Sequence, residues 1–136
     1  MQYYAVIDTN VLVSALLNFK SIPGKVTTAA LIGNITPLVN DEILKEYQEV
    51  LHRPKLSFDP EVVKDFLDDF IVRSIFLDAE SLNENIPDPK DIVFYEVVME
   101  GRKSQNAYLV TGNIKHFPVK EYIVTPAEMM KIIEGK

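Results

Sequence analysis

The sequence contains no cysteine and no long apolar run. The absence of cysteine excludes disulfides and cysteine metal sites. No stretch reaches the roughly 18 apolar residues that a membrane span needs. The apolar opening Tyr3–Ile7 is too short for a signal peptide, since Asp8 interrupts it. We therefore expect a cytoplasmic protein without a membrane partner, folded as one domain over residues 1–136.

The charge of the chain limits how it could hold nucleic acid. The formal net charge is −6, and residues 59–100 hold twelve acidic residues against three basic ones. A protein that binds nucleic acid through charge alone is usually basic. Any nucleic-acid contact must therefore be local or assisted by a metal ion. The basic residues available for a phosphate-contact surface include Lys20, Lys25, Arg53, Arg102, Lys103 and Lys115.

Short apolar segments alternate with amphipathic ones along the whole chain. Tyr3–Ile7 has the composition of a buried strand. Asp59-Pro60 and Thr125-Pro126 are typical helix starts, in which a capping residue precedes proline. Residues 18–24 contain proline and glycine and are predicted to form a loop. The alternation predicts an α/β domain of three layers, in which a parallel sheet of about five short strands has helices on both faces.

Two polar clusters follow predicted strands, Asp8-Thr9-Asn10 and Thr111-Gly112-Asn113. Ligands of parallel sheets bind outside the carboxyl ends of the strands, and we expect both clusters at this edge. Asp8 would be partly buried there, and a buried charge needs a partner. The nearest basic residue in sequence is Lys20. Alternatively, Asp8 only caps the following helix, which would account for the aspartate but not for the whole triplet.

Glu46 and Asp91 are two further candidate acids. Glu46 lies closer to the apolar stripe of its helix than Glu42 or Glu49 does. Alternatively, it is a boundary residue that pairs with a neighbouring lysine or arginine. Asp88-Pro89 predicts a helix start that places Asp91 at the third helical position. Alternatively, Asp88 and Asp91 both serve only to complement the helix dipole.

Three acids from distant segments suggest a site for a hard cation. Magnesium and manganese prefer carboxylate and water oxygens. Such ions hold phosphodiesters and activate water. Three patterns that would indicate another chemistry are missing from the sequence. They are two histidines at metal-binding spacing, a Ser-His-Asp arrangement and a glycine-rich phosphate loop.

Five blocks of the sequence together resemble PIN-domain proteins, especially the bacterial and archaeal toxins of toxin–antitoxin pairs. They cover nearly the full chain in order: Val6–Leu16, Glu42–Lys55, Asp88–Asp91, Tyr108–Phe117 and Val124–Met129. The resemblance implies a metal-dependent endoribonuclease that uses Mg²⁺ or Mn²⁺ on an RNA substrate. It also implies a cognate antitoxin protein and a homodimer.

The resemblance assigns Asp8, Glu46 and Asp91 as catalytic and metal-binding residues, with Asp88 as a less suitable alternative to Asp91. The fourth acidic position of the family falls on Asn113 or on His116. Neither side chain contributes a negative charge, so the three carboxylates suffice for one metal ion, and the choice between one and two ions stays open.

Three polar residues are candidates for supporting roles. Asn10 could hold Asp8 or a water molecule. Ser14 lies near the next turn of the same helix, and Thr111 ends a predicted strand. Each of the last two is equally well explained as a residue that serves the fold alone.

Two other functions remain open. The first is a catalytically weak PIN module that binds RNA or a protein partner without cleavage, which the missing fourth acid and the net acidity favour. The second is a small-molecule phosphatase on a different parallel-sheet fold. That reading lacks support, because the phosphatase pattern needs a second aspartate where this chain has Asn10.

Overall fold

A five-stranded sheet forms the centre of the computed structural model, which describes residues 2–135. The strands are β1 Tyr3–Ile7, β2 Ile35–Val39, β3 Ile75–Phe76, β4 Ala107–Val110 and β5 Ile123–Val124. Their order in the sheet is β3-β2-β1-β4-β5, and every neighbouring pair is parallel. All the carboxyl ends therefore lie at one edge, as the alternating sequence predicts.

Among the described residues, six α-helices connect and cover these strands. They are α1 Thr9–Leu17, α2 Ile22–Leu31, α3 Asp41–Leu51, α4 Pro60–Val72, α5 Ile92–Arg102 and α6 Pro126–Glu134. Short 3₁₀ turns occupy Pro54–Leu56, Pro89–Asp91 and Ile114–His116. Within residues 2–135, no helix combines the length and the apolar character that crossing a membrane would require.

Helix caps follow the sequence signals closely. The side chain of Asn40 accepts a hydrogen bond from the Ile43 N–H at the start of α3. At the start of α6, Thr125 and Glu128 form a reciprocal capping box, in which each side chain accepts from the other residue's N–H. These bonds satisfy amide groups that a helix start would otherwise leave without partners.

The predicted loop over residues 18–24 is wrong at its end, because α2 already begins at Ile22. The Ser21 side chain accepts a hydrogen bond from the Gly24 N–H and so caps the helix. Gly24 packs so closely on the preceding loop that an added Cβ would lie 2.3 Å from the Phe19 carbonyl oxygen. Proline and glycine therefore belong to the first turn of α2 rather than to a loop.

The core encloses the central strand from both sides. Ala5, Val6 and Ile7 are completely buried, although successive side chains of a strand point to opposite faces of the sheet. Both faces of β1 are therefore covered, as expected for a three-layer α/β domain. Helix α5 packs on β1, β2 and β4, while α2 packs against α1, α6 and β2. This rigid frame positions the carboxyl edge of the sheet.

Candidate active site

Asp8 lies where β1 passes into α1. Its N–H donates to the Val110 carbonyl at 2.9 Å, and its own carbonyl accepts from the Val11 N–H at 3.0 Å. Its side chain makes no capping hydrogen bond to the helix, and the residue is only 6% exposed. The structure therefore does not support the alternative that Asp8 is present only as a side-chain cap of α1.

The carboxylate of Asp8 is held by polar groups from both predicted clusters. Thr111 Oγ1 donates to Asp8 Oδ2 at 2.7 Å, and Asn10 Nδ2 donates to the same oxygen at 3.3 Å. The Asn10 side-chain oxygen in turn accepts from the Gly112 N–H at 3.1 Å. The two clusters thus meet at the carboxyl edge of the sheet, as the sequence analysis predicts.

Glu46 faces the same region from α3. The Thr9 hydroxyl donates a hydrogen bond to Glu46 Oε2. Glu46 is half-buried, whereas Glu42 and Glu49 on the same helix are exposed. Across residues 2–135, no ion pair joins Glu46 to Lys45 or Arg53. The expected position beside the core is correct, and the alternative of a simple boundary ion pair has no support.

The next residue on α3, Tyr47, ties this helix to the central strand. Its completely buried side chain donates a hydrogen bond to the Ile7 carbonyl at the end of β1. This bond fixes α3, and with it Glu46, against the strand that carries Asp8.

Asp91 and Asp88 divide the roles that the sequence leaves open between them. Asp88 Oδ1 accepts from the Lys90 N–H at 3.0 Å and so caps the 3₁₀ turn. Asp91 precedes α5 but makes no side-chain cap. Its Oδ2 lies 3.3 Å from His116 Nδ1, and its side chain is only 17% exposed. The predicted continuous helix from Asp88 is therefore a 3₁₀ turn followed by α5, and Asp91 is the acid that capping leaves available.

The other two acids affect the pKa of Asp8. Burial raises the pKa of Asp8 to about 6, opposed by the Thr111 hydrogen bond. The negative charges of Asp91 and Glu46 contribute to this rise. Burial also raises the pKa of Asp91, together with the charge of Asp88, while His116 lowers it. Asp91 and Glu46 therefore lie close enough to Asp8 to disfavour its negative charge, which is an arrangement that a cation would relieve.

The donor set suits an oxygen-seeking ion that keeps part of its hydration. Within the described residues 2–135, no three aspartate, glutamate or histidine side chains converge into a ready-made metal cage. Mg²⁺ usually retains several waters and binds through one or two carboxylates. Buried Asp8, with hydroxyl and amide partners, fits such an ion, and Asp91 and Glu46 lie within its electrostatic reach.

The remaining sequence candidates occupy different positions around the acids. Asn113 is exposed, and its N–H donates to Thr111 Oγ1 at 2.9 Å. His116, the other candidate for the fourth acidic position, instead reaches Asp91. Ser14 is half-buried on α1 and, like Asn10, lines a neighbouring cavity.

Sequence reasoning missed the roles of Thr9 and Tyr47. Thr9 bonds Glu46, and Tyr47 bonds the end of β1. The role of Thr9 could have been inferred from its polar side chain, which lies between Asp8 and Asn10 in the sequence. The sequence has no comparable signal for the role of Tyr47, because this residue also fits the apolar stripe of α3.

Comparison with known proteins agrees with this geometry. The PIN-domain family model matches residues 4–115, so the chain belongs to the PIN-domain family. PIN domains are generally nucleases and typically use divalent metal ions. No match was found among curated proteins or among solved structures.

Proposed function

We propose that residues 1–136 form a single nuclease domain that cleaves RNA as an Mg²⁺- or Mn²⁺-dependent endoribonuclease. One observation carries the proposal: the buried Asp8 carboxylate is not used by the adjacent helix cap. It is instead held by Thr111 and Asn10 among other acids, at the edge where parallel sheets bind ligands.

The residues of the chain divide the work between holding the ion and fixing its ligands. Asp8, Glu46 and Asp91 would hold the ion directly or through water. A bound ion supplies charge for the phosphate oxygens and activation of the attacking water. A carboxylate oxygen of these acids that the ion leaves free would serve as the proton acceptor.

Neighbouring side chains fix these acids in place. Thr111 and Asn10 orient Asp8, while Thr9 orients Glu46. His116 contacts Asp91. A carboxylate that is already oriented loses less freedom when it binds an ion, which is how surrounding partners tune a metal site.

A cleavage assay tests this proposal. Labelled single-stranded RNA is incubated with the protein and Mn²⁺, Mg²⁺ or EDTA. We expect cleavage only with metal, and loss of at least 100-fold in rate for Asp8→Asn, a loss typical of removing one key electrostatic group. Asp65→Asn, on the exposed face of α4, is the matched control and should retain activity. Metal-dependent cleavage that survives in Asp8→Asn would contradict the assigned site.

A second candidate function is a PIN module that binds RNA or a protein partner without cutting. The exposed, uncharged Asn113 at the fourth acidic position and the net charge of −6 favour it. The same assay separates the two functions when RNA binding is measured in parallel. Bound but intact RNA in the presence of Mn²⁺ would establish the binding module.

The biological setting that we propose is that of a cytoplasmic toxin, acting as a homodimer and controlled by a cognate antitoxin. Its support is the family, because toxin–antitoxin pairs are the usual context of PIN domains. Co-expression with the product of the neighbouring upstream gene tests this setting. Formation of a stable complex that suppresses cleavage is expected, and unaffected cleavage would contradict it.

A further inference from the structure

A cavity of about 310 Å³ lies directly beside the acidic site. Its walls combine the apolar side chains of Val13, Val50 and Leu56 with the cations of Arg53 and Lys55. This volume is at the lower end of ligand-sized pockets. The mixture of apolar walls and cations suits a flat apolar group that carries a negative charge, which is the chemistry of a nucleotide.

The cavity connects to the proposed active site through its own lining. Asn10 lines the cavity and also hydrogen-bonds Asp8 at 3.3 Å. A second cavity of about 440 Å³ has Glu46, Lys45 and Lys90 among its lining residues. Arg53 lines both cavities. One cavity therefore has Glu46 in its wall, and the other has Asn10, the hydrogen-bond partner of Asp8.

The cations of this path are not consumed by ion pairs. Among residues 2–135, the ion pairs of lysine and arginine involve Lys64, Arg73 and Lys103. None of these pairs includes Arg53 or Lys55. The guanidinium of Arg53 is thus available to form the forked hydrogen bonds that phosphates accept.

Two of the basic residues that the sequence offers for phosphate contact, Lys103 and Arg102, are engaged elsewhere. Lys103 pairs with Glu80 and Glu100. Arg102 stacks over the Tyr122 ring at 4.0 Å and donates to the Ala107 carbonyl at 2.7 Å. Arg53, which follows α3, lines both cavities beside the acids and is therefore well placed to bind a phosphate there.

We propose that the smaller cavity is a nucleotide subsite for single-stranded RNA. One base enters against Val13, Val50 and Leu56, and Arg53 binds the adjoining phosphate. Because bases are accessible for such contacts in single strands, loops and ends but not within a duplex, the subsite selects unpaired RNA. This inference rests on the proposed function, since it places the subsite next to the reacting phosphodiester.

Binding measurements test the subsite separately from cleavage. The parent is Asp8→Asn, which keeps bound RNA intact. Its affinity is measured for a short single-stranded RNA and for versions in which one base at a time is removed. The added variants are Arg53→Gln, Leu56→Ala and Val13→Thr, with Lys131→Gln on the exposed side of α6 as the charge control. Thermal unfolding verifies that each variant is folded, and Val13→Thr retains the size of the native side chain.

Each kind of contact has its own expected signature. The logarithm of the affinity falls linearly with the logarithm of the salt concentration. Arg53→Gln should make this slope less steep by about 0.7, the value for one lost phosphate contact with a single strand. Leu56→Ala and Val13→Thr should weaken binding on the order of 3- to 10-fold, as expected for loss of apolar contact. Removal of the base that occupies the cavity should weaken RNA binding by the parent to a similar extent. With that base absent, Leu56→Ala and Val13→Thr should bind the RNA as tightly as the parent does.

Two results would overturn the subsite. One is that Leu56→Ala and Val13→Thr weaken the binding of intact RNA and of base-deleted RNA equally, whichever base is removed. The other is an Arg53→Gln variant that behaves like Lys131→Gln. Failure of the proposed function looks different. In that case RNA remains uncut by the wild-type protein with Mn²⁺, while the base-dependent binding persists.

Discussion

The Thr111 hydroxyl donates a hydrogen bond to Asp8 Oδ2 at 2.7 Å and joins residues 103 positions apart. It links the carboxyl end of the central strand β1 to that of the neighbouring strand β4. The bond lowers the pKa of Asp8 against the stronger upward effect of burial. The Asn113 N–H donates to the same hydroxyl oxygen at 2.9 Å and so helps to orient it. Thr111 therefore both aims the Asp8 carboxylate and favours its charged form.

Thr111→Val tests this relationship with almost no change in side-chain shape. We expect the pKa of Asp8 to rise above about 6, because a hydrogen bond to the ionised form is lost. Cleavage should fall about tenfold or more near neutral pH, with partial recovery at higher pH. The measurement is a pH–rate profile, with Thr111→Ser as the variant that retains the hydroxyl. A profile unchanged in Thr111→Val would show that the bond has no functional part.

The stability of Asp8→Asn tests the cost of the buried charge. The pKa of Asp8 is raised from 3.8 to about 6, so the folded state binds this proton more tightly than the unfolded state does. Below about pH 4 the carboxyl group is protonated in both states. Above about pH 6 it is ionised in both states, and its burial lowers the free energy of unfolding by up to about 3 kcal/mol.

Asp8→Asn should therefore increase the free energy of unfolding by about 1–3 kcal/mol at pH 7.5 in EDTA, and change it little at pH 4. Urea unfolding at the two pH values measures the difference. Asp65→Asn, which is exposed, should stay within about 0.5 kcal/mol of wild type at both. Loss of stability in Asp8→Asn at pH 7.5 would contradict this account and would mean that hydrogen-bond donors already compensate the charge.

Metal binding should stabilise the fold, because an ion relieves the repulsion among the acids. For a dissociation constant on the order of 1 mM, about 10 mM Mn²⁺ adds roughly 1.4 kcal/mol to the free energy of unfolding. This corresponds to a rise in melting temperature of about 3–8 °C. The rise should shrink sharply in Asp8→Asn and Asp91→Asn and remain in Glu49→Gln, an exposed acid of α3. Thermal shifts are compared at constant ionic strength, and equal rises in all three variants would indicate binding to general surface charge.

Asn113→Asp tests the unusual fourth acidic position. Its backbone already contacts Thr111, so a carboxylate there would add negative charge close to Asp8. We expect the affinity for Mn²⁺ to increase severalfold, as measured by calorimetry. An unchanged affinity would show that residue 113 belongs only to the turn after β4. Asn113→Ser, which adds no charge, controls for loss of the amide.

Most of the fold could be predicted because its signals are local. The caps at Asn40, Asp59 and Thr125 each accept a hydrogen bond from an amide two or three residues ahead, which is within reach of a sequence pattern. The start of α2 could not be placed, since it depends on the close packing of Gly24 against the Phe19 backbone. Such a contact arises only after the chain has turned.

The positions of the three candidate acids could be predicted better than their contacts. Asp8 and Asp91 follow from a strand end and a helix start, and Glu46 from its position beside an apolar stripe. The contacts of Glu46 with Thr9 and of Asp91 with His116 join residues 37 and 25 positions apart. No spacing rule reaches across such distances, because the sheet order decides which segments meet.

The central claim is that a divalent ion binds at the carboxyl edge of the sheet, on Asp8 and its neighbouring acids. The most direct measurement is a crystal structure of the protein with Mn²⁺, read from the anomalous difference density. The account predicts a peak within about 2.0–2.3 Å of a carboxylate oxygen of Asp8 or Asp91, with waters completing the coordination. No peak at this edge in crystals that bind Mn²⁺ elsewhere, for example near Glu80 and Glu100, would contradict it.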